Sequence, residues 1–113
     1  MTVLDWTPIC TIDRLTPDRG VAALVDGQRV AVFLLATGEL YALDNHDPCS
    51  GANVLSRGLV GDIDGIPTVA SPVYKQRFDL RTGRCVDDDA VGVRSWKVRK
   101  GGGFVEVKAP IDR

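Results

Sequence analysis

Short runs of alternating apolar and polar residues, punctuated by glycine, proline or aspartate, fill most of this chain. An alternation of period two buries one face of a strand and wets the other, so these runs predict strands. Val21 to Val25 and Arg29 to Leu35 are two of them, joined through Asp26-Gly27, a pair that turns tightly because both residues accept positive φ. Thr37-Gly38 turns the chain into Glu39 to Leu43. Pro67 to Ala70 and Arg77 to Leu80 flank a loop, and Arg81-Thr82-Gly83 turns into a strand beginning at Arg84. A last hairpin alternates around Trp96 and Val98 from Arg94 to Arg99, turns at Gly101-Gly102-Gly103 and returns from Phe104 to Lys108. Only Thr11 to Arg19 admits a helix, and Pro17 limits it to a turn or two. Many short strands at this spacing predict an all-β, antiparallel sandwich or barrel.

Length and charge narrow the function. With 113 residues, 44% of them hydrophobic, the chain has enough for one domain with its own core, residues 1–113, and too little for a second. A formal net charge of -1 with acidic and basic residues interspersed argues against nucleic-acid binding, which needs a basic face to neutralise phosphates. No apolar run approaches the roughly 20 residues of a membrane-spanning helix. The opening Met1-Thr2-Val3-Leu4-Asp5-Trp6 lacks the basic and then apolar pattern of a secretory leader, so a cytoplasmic protein without membrane attachment is expected.

Candidate chemistry is sparse. Cys10, Cys49 and Cys85 form an odd set without Cys-x-x-Cys spacing, which predicts reduced thiols rather than a disulfide framework or zinc knuckle. His46 is the only histidine and lies three residues before Cys49, but a thiol nucleophile also needs an oxyanion site, for which the sequence offers no signal. A metal held by His46, Asp47, Cys49 and perhaps Cys85 is conceivable, with Cys85 displaced beyond a turn and Asp47 better explained as a cap on loop amides. Gly101-Gly102-Gly103 leads into a strand rather than a helix and so makes a hairpin turn, not a phosphate cradle. The acidic triplet Asp87-Asp88-Asp89 reads as a solvated loop.

Two segments carry more. Asp44-Asn45-His46-Asp47-Pro48-Cys49-Ser50-Gly51-Ala52 and Ser71-Pro72-Val73-Tyr74, followed by Phe78-Asp79-Leu80-Arg81-Thr82-Gly83, resemble the two loops of Rieske iron-sulfur domains, "DN-x-CPH-x-GA" and the pair before "FDL-x-TG". In that family the first loop supplies Cys-x-His and the second Cys-x-x-His, so that two thiolates hold one iron of a [2Fe-2S] cluster and two imidazoles the other. The resemblance places Asp47 and Ser71 at the cysteine positions and Cys49 and Tyr74 at the histidine positions. None of them keeps the family's ligand. A serine hydroxyl or tyrosine phenol binds a cluster iron poorly at neutral pH, because each must first lose a proton of high pKa.

A Rieske frame without its ligands resembles the small subunit of bacterial NADH-dependent nitrite reductase. The matching segments include Val54-Leu55-Ser56-Arg57-Gly58-Leu59, Val69-Ala70-Ser71-Pro72, Lys75-Gln76-Arg77-Phe78 and Gly83-x-Cys85, and the likeness runs from Trp6 to the Val105-Glu106-Val107 strand. It implies a Rieske-like domain with its two loops at one tip, and no cofactor or metal of its own. It also implies a large-subunit partner carrying FAD, a [4Fe-4S] cluster and sirohaem and reducing nitrite to ammonium in nitrate assimilation. This chain would then be a structural or modulatory subunit that docks through Pro48, Arg57, Pro72, Tyr74, Lys75 and Arg77, the three cations forming a basic rim. Two rival functions are a Rieske-type ferredoxin with an atypical ligand set and an interaction module of another oxidoreductase.

Overall fold

The computed structural model describes residues 6–110. The leader-like question at residues 1–5 lies outside them. Among the described residues the strands are β1 (Thr7–Thr11), β2 (Arg19–Val25), β3 (Gln28–Leu34), β4 (Leu40–Asp44), β5 (Leu59–Ile63), β6 (Ile66–Ala70), β7 (Arg77–Asp79), β8 (Ser95–Gly101) and β9 (Phe104–Lys108). A six-stranded sheet in the order β1-β9-β8-β4-β3-β2 curls until Ile9 and Cys10 of β1 face Val21, Ala22 and Ala23 of β2 across a slot of about 180 Å³. β5, β6 and β7 form a second, three-stranded sheet, and all pairings within both sheets are antiparallel.

β3 explains how the layers hold together. Val30, Ala31, Val32 and Phe33 are all fully buried, so this strand is covered on both faces. Val30 and Val32 join Val25, Ala42, Trp96, Val105 and Val107 inside the curled sheet. Ala31 and Phe33 point the other way, into a second cluster with Leu43, Leu55, Val69, Phe78 and Cys85, which fills the space between the sheets. At the far edge, Arg99 donates from Nε to Glu106 Oε1 at 2.8 Å, and its guanidinium lies 4.2 Å over the Trp6 ring.

The all-β expectation holds, and its departures are local. β5 is a strand the alternation did not flag, because Gly61 and Asp62 interrupt it; its signal was Asp64-Gly65, a turn with φ of 51° and 87°. The strand expected from Arg84 reduces to isolated bridges, Phe78 to Cys85 and Arg84 to Gly92. There the chain bends through Asp87 to Ala90 instead of continuing alongside a neighbour. The helical option after Thr11 becomes one 3₁₀ turn, Ile12–Arg14.

Loop 1 joins β4 to β5 and loop 2 joins β6 to β7. Gly58 lets them approach. A Cβ there would run into the Ala70 carbonyl and meet Val69 Cγ2 at 2.6 Å. Gly58→Ala is therefore expected to cost about 2 to 3 kcal/mol in denaturant unfolding, as overpacking does, whereas Gly51→Ala meets no atom within 4 Å and pays only for its positive φ.

Candidate functional site

Loop 1 is anchored before it begins. Asp44, at the end of β4, accepts from Arg94 Nε at 3.0 Å and from Trp96 Nε1 at 2.8 Å, which ties the loop's base to β8. The buried Asn45 then folds the loop back on itself, its Nδ2 donating to the Asn53 carbonyl at 3.2 Å and its Oδ1 accepting from the Ser56 amide at 2.7 Å. Asp47 closes the inner turn, donating its amide to the Ala52 carbonyl and accepting the Gly51 amide on its own carbonyl, both at 2.8 Å.

The Asp47 side chain has no exposed surface, yet it is well partnered. Its carboxylate accepts from the Cys49 amide at 2.9 Å, from Ser50 Oγ at 2.9 Å and from Ser71 Oγ at 2.5 Å. Loop 2 is built around that same Ser71, also fully buried, whose amide donates to the Gln76 carbonyl and whose carbonyl accepts from the Lys75 amide. The Ser71 hydroxyl accepts from the Val73 amide at 3.2 Å while donating to Asp47. Asp47 organises the inner turn of loop 1 and Ser71 organises loop 2, and these two buried side chains bond to each other.

Burial alone would raise the Asp47 pKa. The Ser71 hydroxyl, the Cys49 amide and Ser50 outweigh it and hold the carboxyl below its ordinary range. Cys49 goes the other way, because burial first, and then the neighbouring Asp47 carboxylate, push its thiol up. A thiol so placed is a weak nucleophile. His46 is exposed, and no hydrogen bond joins it to Cys49.

These residues do not fit a [2Fe-2S] cluster. Asp47 and Ser71, at the cysteine positions, are hard oxygen donors already bonded to one another, Cys49 favours its protonated form, and Tyr74 is 61% exposed. Among the described residues no group of three or more His, Cys, Asp or Glu side chains is placed to hold a metal ion. His46, Asp47, Cys49 and Cys85 do not form such a group.

Of the expected docking residues, Pro48, Pro72, Tyr74 and Lys75 are exposed on the two loops. Val73, which the sequence reading passed over, joins them at 45% exposed. The basic rim is smaller than expected. Arg77 donates to Asp87 from its backbone amide, Nε and Nη2, the last at 2.7 Å, so it is not a free cation and Asp87 is not simply solvated. Arg57 sits on a 3₁₀ turn, Leu55–Arg57, and lines a groove beside β2.

Truncating either partner of the loop-to-loop bond is expected to destabilise the fold. Asp47→Ala strands three donors, of which the Ser71 hydroxyl is buried and the Cys49 amide and Ser50 hydroxyl are part-buried, and should cost about 3 kcal/mol, Ser71→Ala about 1 to 2, with the double variant falling short of their sum by about 1 to 2 in urea unfolding. Because the folded Asp47 pKa is depressed, its contribution is complete above the unfolded value of about 3.9 and fades as pH falls through the lower folded value. Asp47→Asn should therefore flatten the acid limb of stability against pH; an unchanged limb would refute the assignment.

Known proteins carry the same frame. The model of the Rieske-like [2Fe-2S] domain matches residues 5–108. The chain is 40% identical over 104 residues to the nitrite reductase (NADH) small subunit of Salmonella typhimurium, covering 91% of this chain and 96% of that one. A crystal structure from Mycobacterium tuberculosis, provisionally named an NADH-dependent nitrite reductase small subunit, superposes with a TM-score of 0.92 at 42% identity, covering 98% of this chain and all of the other. The nitrite reductase [NAD(P)H] large subunit of Klebsiella oxytoca is 45% identical over 102 residues, which are 90% of this chain but only 11% of that protein. The chain therefore spans about a tenth of the Klebsiella relative's length. Alike over almost all of its length to these proteins, the chain belongs to the Rieske-like family of nitrite reductase (NADH) small subunits.

Proposed function

We propose that this chain works without a [2Fe-2S] cluster, as the non-catalytic small subunit of an NADH-dependent nitrite reductase, docking on a large subunit through the tip formed by its two loops. The observation that carries this reading is the Asp47 to Ser71 hydrogen bond, which holds the tip together with side chains alone. What the tip then offers a solvent-borne partner is apolar and stiff: Pro48, Pro72, Val73 and Tyr74, with Lys75 beside them. Aromatic and rigid apolar groups of this kind are the usual anchors of protein interfaces. FAD, the [4Fe-4S] cluster and sirohaem would lie on the large subunit, where nitrite is reduced to ammonium with electrons from NADH, which makes the cytoplasm the natural compartment.

The Klebsiella relative supports a partner of this kind. There the matched segment is part of a far longer polypeptide that bears the large-subunit name, so a domain like this one already shares a chain with such a protein. Separate chains would reproduce that arrangement by association. Among the described residues no helix is long and apolar enough to cross a membrane, and none is needed for this role.

Docking is tested by measuring binding to the nitrite reductase large subunit from the same organism. Tyr74→Ala is expected to weaken it at least about tenfold, the loss of one interface anchor, with an unchanged far-ultraviolet circular dichroism spectrum. Full affinity in the Tyr74→Ala variant would overturn docking through the tip.

A further inference from the structure

Beside the tip, between β2 and the Leu55–Arg57 turn, runs a second surface that neither fold nor loop chemistry requires. One hollow of about 300 Å³ lies between Leu24, Arg29 and Arg57, and a neighbouring one of about 390 Å³ lies between Arg19, Arg57 and Leu59. They meet at Ser56 and Arg57, which line both. From Arg19 to Leu24 this groove follows β2 for five residue steps, about 17 Å at roughly 3.3 Å per residue. That is the reach of a short extended peptide.

Its lining is one-sided in charge, three arginines to one aspartate. Arg77, Arg81, Arg94 and Arg99 are each ion-paired. Arg19, Arg29 and Arg57 have no ion pair among the described residues, and all are exposed. Among the described residues the one carboxylate lining the groove is Asp18, whose Oδ1 already accepts the Ala36 amide at 3.0 Å. Flanking the guanidiniums are the two most exposed large hydrophobic side chains among the described residues, Leu24 at 67% and Leu59 at 79%. Leu24 and Arg29 are cross-strand partners and so stand side by side on one face.

We propose that this groove seats an extended acidic segment of the large subunit, its carboxylates on Arg19, Arg29 and Arg57 and its apolar side chains on Leu24 and Leu59. This rests on the large subunit being the partner, and it deepens that reading by naming what the partner must present. Charge complementarity argues for it, since unpaired guanidiniums take carboxylates in bidentate pairs. Continuity argues for it too. Asn45 and Asn53 of loop 1 line the Leu24 end, and Asn53 bridges to His46, two residues from Pro48, so groove and tip form one continuous surface.

The test is affinity for the purified large subunit at low and physiological salt, for the unmodified chain, the doubly reversed Arg29→Glu/Arg57→Glu chain and Tyr74→Ala. Reversing two exposed, unpaired charges leaves the fold intact, which near-ultraviolet circular dichroism checks. The expected result is about 100-fold weaker binding for the reversed chain, from like charges brought together, with most of the salt dependence gone. Binding by the reversed chain within about threefold of the unmodified one, the range of neutral surface changes, would overturn the groove and leave docking through the tip standing. No binding by the unmodified chain would overturn both. Sedimentation showing a dimer of the unmodified chain that Arg57→Glu disperses would assign the groove to a second copy, with its Asp88 and Asp89 as the acidic segment, and overturn the proposal.

Discussion

A carboxylate and a hydroxyl, both shut away from water, join the two loops of this protein. Asp47 cannot be buried as a charge unless donors surround it, and the fold supplies them from its own turn and from Ser71, 24 residues further along the chain. The rest of the architecture is arranged so that this can happen. Arg94 and Trp96 fix the base of loop 1 through Asp44, Asn45 folds it back, and the small Gly58 lets loop 2 come close. In this domain of the Rieske-like [2Fe-2S] type, a hydrogen bond cross-links the two loops.

On the proposed reading, that bond in place of a cluster changes what the tip is for. A cluster would make the tip an electron port and demand soft donors with access to iron. Side-chain oxygens bonded to one another give rigidity and nothing to reduce. Exposed Pro48, Pro72, Val73 and Tyr74 above a stiff base then suit recognition, since a preorganised surface loses little entropy on binding. The arginines beside β2 extend the same face with charge.

Much of the fold was legible in the sequence because its signals are local. Asp26-Gly27 marked the β2–β3 hairpin, and the closing hairpin was read almost to the residue because Trp96 and Val98 alternate cleanly up to three glycines. β5 was missed where Gly61 and Asp62 break the alternation, and the strand expected at Arg84 failed because Cys85 and Val86 are held by single backbone bonds to Val91 and Arg77 rather than by a ladder. At the site, counting back from Phe78 identified Ser71 and Tyr74. The bond from Ser71 to Asp47 could not be read, since it depends on how two sheets meet, and neither could the pairing of Arg77 with Asp87, which removed a cation from the expected rim. Three arginines on one groove, without an ion pair among the described residues, were likewise invisible, scattered as they are over β2, β3 and a 3₁₀ turn.

The most direct measurement is iron and acid-labile sulfide on the chain purified without oxygen. The account predicts a colourless, folded protein with neither, because Asp47 and Ser71 satisfy each other; about two irons and two sulfides per chain, the content of a [2Fe-2S] centre, would contradict it.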